Sequence, residues 1–200
     1  QVDRLPELPP SLTGITLVFC PLTHFTAPPF LKSLLLRSLT CLHSLSSLPS
    51  SLEFCDIDHC PTNVPAAGAL KRLGLSGVTH IDAFPTTLTF LSLSHLTCAI
   101  PPIDTLPLRR LTAISIAHPL TAPSTLESLT FHSCDALTLP HPIPTAAVTF
   151  NCRLPPLPPI TTLALHSIEL PALPTALQSL SLLRCVIDTF TPLPLLTDLS

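Results

Sequence analysis

The chain has 200 residues, a formal net charge of −3, 46% hydrophobic and 10% charged residues, and 26 Pro against 4 Gly. Average proline usage is about 5% and each Pro inside a helix costs roughly 3 kcal/mol, which excludes long helices; so much Leu and Ile also excludes a disordered chain. An acidic balance without a basic stripe argues against nucleic acid as a partner, and Pro, Ser and Thr interrupt every apolar run before the ~18 residues that span a bilayer as helix.

The N-terminus is Gln1, with no Met in the chain and no signal-type n-region or apolar h-region ahead of the first repeat, so a signal peptide is expected to be either absent or already removed. From residue 5 the chain states a phrase, Leu5-Pro-Glu-Leu-Pro-Pro-Ser-Leu12-Thr-Gly-Ile15-Thr-Leu17-Val-Phe-Cys20. Its skeleton is one or two prolines followed by Leu-x-x-Leu-x-Leu-x-x-Cys. Variants start at Leu12, Leu31, Leu52, Leu70, Leu88, Leu111, Leu126, Thr145, Ile160, Leu177 and Leu196. The intervals average about 18 residues, from 15 (Leu111 to Leu126) to 23 (Leu88 to Leu111), and the eighth phrase is the weakest.

Inside each phrase, pairs such as Ile15/Leu17, Leu34/Leu36, Cys55/Ile57, Leu73/Leu75, Leu91/Leu93, Ile114/Ile116 and Val148/Phe150 alternate with other residues. Period two predicts a short strand with one buried face. A phrase of about nine residues leaves roughly nine for the return, too few for a helix with two connections, so turns, polyproline and 3₁₀ segments are expected there. Prolines 10, 29, 49, 85, 123, 159, 174 and 194 precede the strands and remove no needed N–H. Repeats of one polarity make the strands parallel. The prediction is a β-rich repeat solenoid, one array over residues 1–200 of about 11 short repeats. Neither end carries a polar capping repeat, so both read as cut from a longer array.

The phrase resembles the leucine-rich repeat, and Leu-Pro-Glu-Leu-Pro-Pro-Ser-Leu is most similar to the short repeats of bacterial secreted effectors of the YopM and IpaH group. Pro155-Pro-Leu-Pro-Pro-Ile160 and Leu170-Pro-Ala-Leu-Pro-Thr-Ala-Leu177 echo it; a protist repeat family with Pro-x-Ser-Leu openings is a rival likeness. Where the family carries Asn, this chain has Cys20, Leu39, Cys60, Val78, Leu96, Pro119, Cys134, Arg153, Ile168 and Cys185. Cys is an accepted substitute at that corner; Arg153 and Pro119 are departures. The resemblance implies a curved parallel sheet, Pro-rich turns on its convex side and a concave binding face. It also implies an alternative, the recognition arm of a larger enzyme, because effectors of the IpaH group carry a ubiquitin-ligase domain after such repeats. A cell-surface adhesion array is a third reading, disfavoured because no N-x-[ST] site is present.

Residue chemistry points away from catalysis. There is no C-x-x-C, H-E-x-x-H, Gly-rich phosphate loop or G-x-S-x-G, so neither enzyme activity, cofactor nor metal is expected. Cys20, Cys60, Cys134 and Cys185 share the corner of non-adjacent repeats, at least about 10 Å apart and beyond the ~7 Å limit for a disulfide. They are expected as reduced, buried thiols; Cys41, Cys98 and Cys152 lie off the ladder. Asp56-Ile-Asp58-His59-Cys60 is the densest polar cluster, read as solvated strand residues, and His59, His95 and His118 are placed together just before the corner.

The outward strand positions of repeats two to five concentrate charge and aromatics, whereas later ones are mostly Ser, Thr, Ala and His. Interface energy concentrates in aromatic and Arg anchors, so the expected site for a protein partner is Arg37, Phe54, Asp56, Asp58, Arg72 and Phe90. Two pairings follow from an in-register ladder. Arg37 should pair with Asp58, leaving Asp56 free for a ligand, and Arg72 should stand in a column between Phe54 and Phe90.

Overall fold

The computed structural model describes residues 5–45, 47–65, 68–134, 137–139, 143–149, 160–166, 169–189 and 193–199. Among them there are only strands and turns, with no α-helix or 3₁₀ segment, and no helix long and apolar enough to cross a membrane. The chain divides into two compact units, Gln1–Pro101 and Pro102–Ser200. Each is a β-solenoid of parallel strands.

Unit one runs β1 (Gly14–Val18), β2 (His24–Phe25), β3 (Ser33–Arg37), β4 (Ser44–Leu45), β5 (Phe54–Asp58), β6 (Asn63–Val64), β7 (Arg72–Ser76), β8 (His80–Ile81) and β9 (Phe90–Ser94). The five-residue strands pair in parallel in the order β1-β3-β5-β7-β9, each residue facing its repeat counterpart. The two-residue strands make a second sheet on the return, β2-β4-β6-β8. The sequence reading missed these returns; their signal is one apolar residue per repeat, and Phe25, Leu45, Val64 and Ile81 are all buried. Between the sheets lies the core: Leu34, Leu36, Cys55, Ile57, Leu91 and Leu93 show no exposure at all.

Unit two runs β10 (Arg110–Ile114), β11 (Leu120–Thr121), β12 (Ser128–His132), β13 (Leu137–Thr138), β14 (Thr145–Thr149), β15 (Thr162–His166), β16 (Glu169–Ala172), β17 (Ser179–Leu183), β18 (Val186–Thr189) and β19 (Asp198–Leu199). Its main strands pair in parallel as β10-β12-β14-β15-β17-β19, with β11-β13 and β16-β18 on the return.

One turn recurs ahead of the strands. The anchor N–H donates to the carbonyl three residues back: Leu12 to Pro9, Leu31 to Pro28, Leu52 to Pro49, Leu88 to Pro85 and Leu126 to Pro123, at 3.0–3.3 Å. Proline opens such a turn because it gives up no donor there. The residue before the anchor then ties neighbouring repeats together: the Ser51, Thr87 and Thr125 hydroxyls donate to the carbonyls of Leu31, Leu70 and Leu108, each at 2.8 Å. That contact accounts physically for the Pro-x-Ser/Thr-Leu phrase.

One residue past the strand, the backbone takes positive φ at Phe19, Ser38, His59, His95, Ser115, Ser133 and Arg184 (φ 49 to 54°), and at Gly77 (φ 61°). The left-handed region costs a non-glycine residue roughly 1–2 kcal/mol. The ladder compensates by extending one rung: the N–H of Phe19, Ser38, His59 and Ser115 donates to the carbonyl of Arg37, Asp58, Ser76 and His132, at 2.8–3.0 Å. The corner residue follows. Cys60 accepts from the Leu39 N–H at 3.5 Å and donates to the Asp58 carbonyl at 3.3 Å; Cys134 accepts from the Ile116 N–H at 3.4 Å and donates to the His132 carbonyl at 3.2 Å. A thiol can do both because it is a weak donor and a weak acceptor. No disulfide joins the described cysteines; Cys60 and Cys134 are buried, whereas Cys20 and Cys185 are half-exposed, against the expectation that all four would be buried.

Two phrases sit in a different register from the one read off the sequence. Arg110–Ile114 pairs with Ser128–His132, so the sixth anchor is Leu108, its buried pair is Leu111 and Ala113, and Ile116 rather than Pro119 takes the corner. Ser115 holds the left-handed position there, so His118 does not share the place of His59 and His95. Thr145–Thr149 pairs with Ser128–His132, which makes Ile143 the eighth anchor and Ala146 the first buried strand residue. With these anchors the intervals tighten to 17–21 residues. In both cases a buried Ala replaced the larger residue that the pattern sought. Arg153 and Ile168, read as corners, and Cys152 lie outside the described residues.

Candidate functional site

Alternation along the strands leaves one face of each main sheet open. In unit one, the first outward position carries Phe54 on β5, Arg72 on β7 and Phe90 on β9, which are register neighbours. Arg72 is exposed and both rings are half-buried. Its guanidinium carbon lies 5.6 Å from the Phe54 centroid and 4.8 Å from the Phe90 centroid, inside the ~6 Å reach of a cation–π contact. The expected column exists. No ion pair of Arg72 occurs among the described residues, so its donors remain open on their outer side.

The second row is Leu35, Asp56, Gly74 and Ser92. Asp56 lies across Gly74: a Cβ there would meet Asp56 Oδ1 at 2.5 Å. The missing side chain is what lets this carboxylate lie flat on the sheet. Arg37 Nη2 approaches Asp56 Oδ2 at 3.8 Å, too long for a hydrogen bond. Burial raises the Asp56 pKa above its ordinary value, a push that outweighs the opposing charge of Arg37 and is reinforced by Asp58.

The third row is Arg37, Asp58, Ser76 and Ser94. Asp58 faces Arg37 in register, but the expected Arg37–Asp58 pair does not form. Asp58 Oδ1 lies 2.6 Å from Nδ1 of His59, because the left-handed turn at His59 brings its ring back beside the preceding carboxylate. Arg37 reaches diagonally to Asp56 instead, so Asp56 is not partnerless. Ser76, an outward strand position by the alternation and so expected in solvent, is only 6% exposed, and its hydroxyl has no hydrogen-bond partner among the described residues.

The open face of unit two carries Arg110, Thr112 and Ile114 on β10, Ser128, Thr130 and His132 on β12, and Thr162, Ala164 and His166 on β15. The Ala113, Ser115 and Ala117 placed outward from the sequence are respectively buried, at the left-handed turn, and beyond the strand. No cation–π contact occurs among the described residues here.

No protein-family model, curated protein or solved structure matches this chain. Likeness to known proteins therefore assigns nothing, and the side chains have to carry the reading. Among the described residues no group of three or more His, Cys, Asp or Glu is placed to hold a metal ion. Cys55 is fully buried with its thiol pKa pushed up to about 12 by that burial and by Asp56, which makes it inert as a nucleophile. What the open face of unit one offers is directional charge on a rigid sheet, held by packing rather than by loops.

Proposed function

We propose that this chain is a non-catalytic binding module of the leucine-rich-repeat type, docking another protein on the open face of unit one through Arg37, Phe54, Asp56, Asp58, Arg72 and Phe90. The observation that carries the reading is Arg72, set between two aromatic rings with its polar edge uncommitted. Aromatic and Arg side chains in pre-ordered surroundings are where interface energy concentrates, and an anchor that is already ordered loses less rotamer freedom on binding. The net charge of −3 supports a protein rather than a nucleic acid as the partner.

The test is a photo-crosslinking residue at Ser92 in the full chain, against the same residue at Thr130 on unit two, followed by identification and purification of what is captured. Binding of the purified partner to Arg72→Ala should fall at least about tenfold, the scale of a residue worth more than 1 kcal/mol at an interface. Equal capture from Thr130, or an Arg72→Ala chain that binds as tightly as the parent, would refute the reading.

A further inference from the structure

The left-handed position after each strand asks little of its side chain: in other repeats it holds Ser38, His59, Gly77 and Ser115. In the first repeat it holds Phe19, whose ring is 80% exposed and stands beside Val18, itself 42% exposed. Neither the turn nor the core accounts for a ring there. Bulky residues are uncommon at positive φ, and adjoining exposed apolar residues mark a contact surface. Phe19, Ser38 and His59 follow one another on consecutive repeats, so the Cα atoms of Phe19 and His59 lie about 10 Å apart along one rim. On that rim is a cleft of about 690 Å³, inside the roughly 300–1,000 Å³ range of ligand pockets. Phe19 and Pro21 line one end of it, Asp58 and His59 the other, with the hydroxyl residues Ser38 and Thr40 also in its wall.

We propose that this cleft receives a tyrosine or tryptophan side chain of the docking protein, its ring against Phe19 and Pro21 and its O–H or N–H turned to the Asp58–His59 pair. This rests on the open face of unit one being a docking surface, and carries that surface over the ends of β1, β3 and β5. Aromatic pairs attract beyond the area they bury, which suits the apolar end. The polar end accepts hydrogen bonds. Asp58 is a carboxylate and accepts only, so the 2.6 Å contact puts the proton on Nδ1 of His59. The neutral imidazole then presents Nε2 as a second acceptor. The complement is a flat apolar group with one donor at its edge. A cation fits worse, since Arg37 already faces Asp58 in register, and a carboxylate would meet Asp58 as a like charge. A phenylalanine ring would fill the apolar end and bring no donor to the other.

The experiment titrates the isotope-labelled full chain with the N-acetyl amides of tyrosine, tryptophan, phenylalanine and arginine, followed by amide chemical shifts. The expected result is saturable shifts at Phe19, Ser38 and His59, with the tyrosine or tryptophan amide binding at least about fivefold tighter than the phenylalanine amide, the scale of one hydrogen bond. The tighter of the two names the side chain. Phe19→Ser, which puts there the residue type of Ser38 in repeat two, should weaken every aromatic amide at least about fivefold. Asp58→Ala/His59→Gly strips both acceptors, with glycine at the turn as at Gly77, and should bring the favoured amide down to the phenylalanine level. The amide spectra of both variants report that the fold persists. Equal binding of the three aromatic amides, tightest binding of the arginine amide, or variants that bind as the parent does overturn the proposal. So does the absence of saturable shifts on this rim from all four. The purified partner captured through Ser92 separates the cleft from the docking surface. It should bind Phe19→Ser at least about fivefold more weakly than the parent. If it binds Phe19→Ser like the parent while Arg72→Ala weakens it, the surface stands and the cleft falls; unchanged affinity for both variants defeats both.

Discussion

The two units have the same interior and different exteriors. In unit one, Leu91 and Leu93 of β9 are fully buried and the strand shows Phe90, Ser92 and Ser94 to the outside; in unit two, Leu163 and Leu165 of β15 are buried alike and the strand shows Thr162, Ala164 and His166. Parallel pairing, the turn ahead of the anchor and the left-handed residue after the strand recur in both. What differs is the cargo on the open face: an Arg between two rings and a half-buried carboxylate in one, and in the other Ser, Thr and Ala with Arg110, Ile114, His132 and His166 but no Arg–ring contact among the described residues. Stability should therefore respond alike in the two units, and binding should not.

The largest effects break the shared part. Leu91→Ala and Leu163→Ala each remove a buried Leu and should cost about 2–5 kcal/mol, measurable by denaturant unfolding of the full chain. Unequal costs beyond that spread would show that the interiors are not equivalent.

Next comes alkaline pH. The Cys55 thiol is raised from 9.0 to about 12 in the folded protein, so the folded state keeps its proton where the unfolded state loses it. Its contribution is fully present below pH 9 and is lost as pH rises toward about 12, with a slope near 1.4 kcal/mol per pH unit. Cys55→Val should flatten unfolding free energy over that window; an unchanged slope would show that the thiol is not the group responsible.

A smaller effect distinguishes the turn from the strand. Gly77→Ala should cost about 1–2 kcal/mol, since a Cβ there meets His59 Cα at an ordinary 3.5 Å and only the positive φ opposes it. Ser133→Gly, at the same place in unit two, should be neutral or gain up to about 1 kcal/mol. Thermal melts of the pair would show whether the left-handed turn is a property of every repeat.

The smallest change has an informative sign. Because the Asp56 pKa is raised, its neutral form is the one the fold prefers; the carboxylate adds stability as pH falls through its folded pKa and forfeits it above. Asp56→Asn should therefore be as stable as the parent or slightly more so at pH 7, with the difference vanishing in acid. A clear loss of stability at pH 7 would mean that Arg37 and Asp56 hold the fold rather than await a partner.

Much of the architecture was legible because period two and the proline spacing are both enforced by backbone geometry. Leu-x-x-Leu-x-Leu gave correct strands wherever the interior residues are large, as at Leu34/Leu36 and Leu91/Leu93. It failed at Ala113 and Ala146, which are equally buried, because a size-based pattern passes over Ala and selects the next register with bulkier residues. The anchors Leu108 and Ile143, both buried two residues ahead of their strands, carry the information that the strand residues lack. The return strands escaped notice since two residues have no readable period. On the open face, the register alone placed Phe54, Arg72 and Phe90 in one column, because neighbours along a row are backbone neighbours. It could not place Asp56, whose partner depends on Gly74 leaving room to lie flat and on a turn that hands His59 to Asp58.

The contrast between the open faces is tested most directly by the affinity of one purified partner, the protein captured through Ser92, for two variants measured side by side. Arg72→Ala on unit one should weaken binding at least about tenfold, with a melting temperature close to the parent's. Thr130→Ala on unit two should leave the affinity unchanged. Equal losses in both variants, or a loss confined to Thr130→Ala, would contradict the account.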